Sequence, residues 1–163
     1  MNPEERKELI AQYSDGYRTV SEALHKASPE DLAAKPSPSA WSAKEIVHHL
    51  ADSEMIAAVR FRRLLAEDRP HFQAFDQDEF ARHLHYDRSY ELSLDLFKAV
   101  RASTAELMAT LSESEWLREG THEKIGRFGM DAWLQIYAPH AQRHADQIRA
   151  ARTAATTAAG SKG

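Results

Sequence analysis

Trp41-Ser42-Ala43-Lys44-Glu45-Ile46-Val47-His48-His49-Leu50-Ala51-Asp52-Ser53-Glu54 decides the fold. Ser42 with Glu45 three residues on is a capping box: the hydroxyl takes a free amide of the first turn and the carboxylate reaches back. Beyond the cap the inward line reads Ile46, His49/Leu50, Ser53, Ala57, Phe61 and Leu64, at steps of three and four, ending before Pro70. That is the apolar stripe of a helix packed on others. His49 lies beside this line. His48 groups with Lys44, Asp52 and Met55 on a more mixed face, and is read as flanking.

Three more segments carry the same period. The first has Ile10, Tyr13, Tyr17, Val20 and Leu24 and stops near Ser28-Pro29, before the proline-punctuated loop Lys35-Pro36-Ser37-Pro38-Ser39. The third begins near Ser89, with Leu92, Leu96, Ala99/Val100, Ser103, Leu107 and Leu111 expected inward. The fourth begins near Asp131, a good N-cap, with the seam Trp133, Tyr137, His140, His144 and Ile148. No segment shows sustained strand alternation, so the fold class is all-α, a four-helix bundle. The link 68–88 is long enough for a crossover between helices running the same way. The stretch 112–130 holds Gly120, Gly126 and Gly129 and reads as a small hairpin or irregular lid. One domain is expected over 1–152, with an Ala/Thr-rich, disordered tail over 153–163.

Composition narrows the function. The 163 residues are 42% hydrophobic and 28% charged, with net charge −4 and pI near 6.1, which argues against a nucleic-acid surface. The short run Arg60-Phe61-Arg62-Arg63 is followed by Glu67 and Asp68 and reads as a solvated helix face. There is no cysteine, so disulfides and thiolate ligands are excluded, and any metal must use nitrogen or oxygen donors. The charged start Met1 to Glu8 does not resemble a signal peptide, and no stretch approaches a membrane span. A cytoplasmic protein with no membrane partner is expected.

The histidines carry the chemistry. His140 and His144 are four apart, one above the other on a helix face. Nine histidines in 163 positions give roughly half such a pair by chance, so spacing alone decides little. Their place on the seam decides more: burying a ring without a partner costs on the order of 1–3 kcal/mol. His49 lies roughly 10 Å into the second helix, and the pair roughly 15 Å before the end of the fourth. In antiparallel helices these depths nearly coincide, and three imidazoles would offer a transition metal a site with open positions. The competing reading is ordinary core histidines bonded to neighbours.

Other residues are more ambiguous. Pro139 should bend the fourth helix, either aiming His140 or as a tolerated kink. Asp52 and Glu54 fit either partners or general bases of the site, or a solvated face. His122 and His85 sit near loops and are read as surface residues. Tyr137 is read as core before substrate contact, and Trp41, Trp116 and Trp133 as packing.

The signature from Trp41 through Glu54, followed by His140-Ala141-Gln142-Arg143-His144 and Ile148, resembles the DinB/YfiT-like superfamily. The likeness spans nearly the whole chain, including the Pro70 to Asp78 link and the Gly129-Met130-Asp131 stretch. It implies up-down-down-up topology and a divalent metal, zinc or nickel, held by His49, His140 and His144. It also implies a homodimer and a metal-dependent transferase that joins a low-molecular-weight thiol to a small-molecule substrate. A metal-dependent hydrolase is the alternative, and a non-catalytic metal-binding or dimerisation module the third reading.

Overall fold

In chain order the elements are α1 (Pro3–Leu24), α2 (Pro29–Ala33), α3 (Ala43–Ala66), β1 (His71–Phe72), α4 (Gln77–His83), α5 (Glu91–Met108), α6 (Glu113–Trp116), β2 (Glu119–His122), β3 (Gly126–Gly129), α7 (Met130–Tyr137) and α8 (His140–Gly160). The computed structural model describes residues 1–160. The expected capping box opens α3: Glu45 N donates to Ser42 Oγ (3.3 Å) and Ser42 N to Glu45 Oε2 (2.7 Å). α8 continues to Gly160, past the boundary expected at residue 152, and residues 161–163 of the expected tail lie outside the described residues. Among the described residues no helix is long and apolar enough to cross a membrane.

Side-chain bonds fix the directions of the long helices. His48 reaches Ser93, Glu54 reaches Arg101 and Arg62 reaches Thr104, so α3 and α5 run parallel. Phe61 packs on Trp133 while His49, twelve residues earlier, packs on His140 and His144, so α3 runs antiparallel to α7 and α8. Arg101 reaches the Tyr13 carbonyl and Lys98 covers the Tyr17 ring, so α1 opposes α5. The bundle is therefore up-down-down-up, with α7 and α8 together as the fourth helix. The α3–α5 crossover is tied down by β1, which pairs parallel with β2 (His71 with Thr121, Phe72 with His122). β2 and β3 form the small hairpin. Gly120 is required there, because a Cβ would stand 2.1 Å from the Pro70 carbonyl oxygen.

Two apolar clusters fill the bundle, one around Tyr13, Phe61 and Trp133, the other around Leu50, Phe97 and Ile148. Between them lies Arg101, 1% exposed, its guanidinium over the rings of Tyr13 (3.9 Å) and Phe97 (5.3 Å). It donates to Glu54 Oε2 (2.5 Å) and to the carbonyls of Tyr13 (2.6 Å) and Tyr137 (3.0 Å). Tyr13 donates its hydroxyl to the other oxygen of Glu54. Gly16 makes room for this knot: a Cβ would lie 2.5 Å from Arg101 Nε.

Several expectations change. The inward line of α5 is Ser93, Phe97, Arg101, Thr104 and Met108, whereas Leu92 is 82% exposed. The leucine spacing sits one position off the true seam, because a buried arginine and serine occupy places where apolar residues were sought. Asp131 does not cap α7. Gly129 stands at that position without a side-chain bond, and Asp131 lies 3.5 Å from Arg6. Asp52 and Glu54 are buried rather than solvated: Tyr86 donates to Asp52 (2.7 Å), and Glu54 joins the knot. Arg60 is buried too, with Tyr137 and the Gln73 carbonyl as partners, so only part of the basic run faces solvent. His122 is buried against Phe128, not on the surface.

Candidate metal centre

Pro139 has no amide proton to continue the ladder, and the fourth helix breaks into α7 and α8 at Ala138-Pro139. Arginines take up carbonyls the break frees: Arg101 those of Tyr137 (3.0 Å) and Ala138 (3.5 Å), Arg143 that of Ile136 (3.4 Å). His140, the first residue of α8, is buried just past this break. His144 follows one turn later, and His49 faces both from α3.

The three imidazoles meet. One nitrogen from each of His49, His140 and His144 lies within 4.8 Å of the others. His140 and His144 present their Nε2 atoms to each other at 3.1 Å, and the His49 ring stands 4.7 Å from that of His144 and 5.5 Å from that of His140. Burial holds all three neutral. It lowers His49 to about 3, helped by nearby His144, and pushes His140 well below its ordinary range; His144 is also lowered, against the hydrogen bond it donates to Gln147.

Hydrogen bonding leaves the cluster short of partners. His144 Nδ1 lies 2.7 Å from Gln147 Oε1, so that nitrogen carries the proton and Nε2 presents a lone pair. The Nδ1 atoms of His49 and His140 are buried with no partner. A neutral His140 donates its own Nε2 proton to that lone pair, which still leaves the buried Nδ1 nitrogens of His49 and His140 unpaired in an apolar core, at a cost to stability. A divalent cation fits that donor set.

The cluster has a way in. A cleft of about 320 Å³ is lined by His144, Gln147, Trp41, Ile46 and, from α4, Gln77 and Asp78. Trp41 packs its ring on His49 at 4.7 Å, so it is a wall of the site as well as a packing residue. Trp116 and Trp133 are packing residues only, in the cluster with Phe61. Gln147 went unread in the sequence, though its position three residues after His144 places it on the adjoining turn.

The remaining candidates take other places. His48, wholly buried, bonds to Ser93 (2.7 Å) and the Arg88 carbonyl (3.2 Å) and stacks on Tyr86, outside the cluster. Glu54 is committed to Arg101 and Asp52 to Tyr86, which removes both as free bases. His85 is exposed on the crossover. Tyr137 is a core residue whose ring lies 6.1 Å from that of His140.

A family model described as the DinB superfamily matches residues 12–148. A protein of Oceanobacillus iheyensis named "Putative metal-dependent hydrolase" is 28% identical over 141 residues, 86% of this chain and 82% of the relative. One of the same name from Geobacillus thermodenitrificans is 27% identical over 156 residues, 90% of this chain and 86% of the relative. The solved structure of YfiT from Bacillus subtilis, described as "a probable metal-dependent hydrolase with an unusual four-helix bundle topology", shares the fold with a TM-score of 0.86 at 21% identity. That match covers 98% of this chain and 90% of the other.

Proposed function

Since this chain belongs to the DinB superfamily, we propose that it is a metal-dependent hydrolase of small molecules whose divalent cation is held by His49, His140 and His144. One observation carries the reading: three neutral imidazoles converge within 4.8 Å of one another beside an open cleft. When bound, such a cation supplies Lewis acidity, polarising a carbonyl or acidifying water. Imidazole donors suit zinc and nickel alike.

The chain's own residues do the rest. Gln147 fixes the tautomer of His144, as partners of ligating histidines generally do. Trp41 shields His49 from bulk water, while the break at Pro139 sets the direction of His140. Gln77 and Asp78 offer polar groups across the cleft. The relatives' names support hydrolysis over transfer of a low-molecular-weight thiol, and the same experiment separates the two.

Purified without a histidine tag, the protein should carry close to one zinc or nickel ion per chain. It should cleave members of an ester and amide panel, lose that activity to a chelator and regain it with the metal. His144→Ala should lose most of the metal, and His48→Gln should keep it. Metal-free protein as isolated, refusing both ions, would overturn the site. Metal-dependent consumption of a small thiol by an electrophile, with no hydrolysis, would replace hydrolase by transferase.

A further inference from the structure

A second cavity, of about 520 Å³, lies between α3 and residues 71–75 of the crossover. Met55, Ile56, Val59, Phe72 and Phe75 give it apolar walls, and Arg60 lines it from the inward side of α3. Arg60 is 8% exposed. Its guanidinium donates to the Tyr137 hydroxyl (3.1 Å) and to the Gln73 carbonyl. Those bonds use two of its five N–H groups. No carboxylate pairs with Arg60 among the described residues. Arg63, the other guanidinium on the cavity, is held by both oxygens of Glu67, at 2.8 Å each. Glu123 is committed to the Ala74 amide (3.0 Å).

A buried cation without a counter-charge is the costly arrangement in a protein interior. The other buried guanidiniums have their carboxylates, Arg101 in Glu54 and Arg6 in Glu113. Arg60 has none, and its side chain lines open volume. The missing charge is therefore to be sought in a ligand. A planar guanidinium with free donors matches a carboxylate in both charge and shape. A single uncompensated positive charge among apolar walls suits a monoanion with an apolar body better than a dianionic phosphate.

We propose that this cavity binds a small molecule by its carboxylate, with Arg60 as the anchor and the α3 and crossover side chains holding the apolar part. The ligand sits one side chain away from the histidine cluster, because the tyrosine that accepts from Arg60 stands beside His140. The assignment rests on Arg60 and the cavity, not on the metal, so it is testable on metal-free protein.

Benzoate and its neutral isostere benzamide are the probes, titrated calorimetrically into full-length protein at neutral pH. Benzoate should bind saturably and raise the melting temperature, and benzamide should bind about tenfold more weakly or worse. Arg60→Met should reduce benzoate affinity by on the order of tenfold to a hundredfold, the scale of a charge-assisted bond. Arg60→Lys should fall between, having the charge without the fork. Val59→Trp, at an exposed rim position, should block the cavity without touching the guanidinium and guards against an unfolded Arg60 variant. His144→Ala should leave benzoate binding intact, even where metal binding fails. No benzoate binding by the unaltered protein, equal binding of the two probes, or undiminished binding in Arg60→Met and Val59→Trp overturns the proposal.

Discussion

Arg101→Met should destabilise the protein by about 3–5 kcal/mol, a large share of the roughly 5–15 kcal/mol that holds a typical domain folded. The reason lies in what is left behind. Glu54 is 1% exposed, and burial pushes its carboxyl upward in pKa, against the pull of the Arg101 guanidinium and the Tyr13 hydroxyl. Without Arg101 that carboxylate must take up a proton or remain an uncompensated charge between two apolar clusters. The carbonyls of Tyr13 and Tyr137 lose their donor at the same time. Urea titration measures the loss. The double variant Arg101→Met/Glu54→Leu should recover much of it, since removing both charges is far cheaper than stranding one. Equal stability of the single and double variants would show that the charge is not what matters.

Metal-free protein should lose stability steeply as the pH falls from about 6.5 towards 3. The ordinary value for histidine is 6.5 and burial brings His49 to about 3. Between those values the unfolded chain binds a proton that the folded chain refuses. The contribution is therefore complete above about 6.5 and is lost progressively on acidification. A shift of this size corresponds to roughly 5 kcal/mol at most. His140 and His144 move in the same direction and add to the slope. Chelated protein titrated with urea at stepped pH reads it directly. His49→Leu, which cannot take the proton, should be visibly flatter than the parent protein. If the two slopes coincide, His49 titrates in the folded state as it does in the unfolded one, and the burial argument fails.

The sequence was legible where side-chain type and position agree. On α3 an unbroken period of small and apolar residues follows a complete capping box, and every residue placed inward there is buried. The convergence of His49 with His140 and His144 was legible for the same reason: helix depth is arithmetic once direction is known. Where buried residues are polar, type misleads. Arg101, Asp52, Glu54 and Arg60 carry charges that ordinarily mark solvent, yet each has its partner on a distant segment, such as Tyr86 for Asp52 and Tyr137 for Arg60. Leu92 misled in the opposite sense, an apolar residue on the open face of α5. β1 has two residues, too few for any alternation to register, and its partner lies fifty positions away. Pro139 announced a bend, but not that arginines from two helices would complete it.

The space beside Gly16 has a consequence for how this chain can diverge. The missing Cβ and the guanidinium of Arg101 occupy one another's room, while Glu54 exists in the core only because that guanidinium does. None of the three can drift alone without a clash, a void or a stranded charge. Lineages of this fold should therefore carry them as an inherited set or have exchanged them together, with a larger residue at position 16 accompanied by apolar residues at 54 and 101. An alignment in which these positions vary independently would show that the coupling binds this structure and not its ancestry.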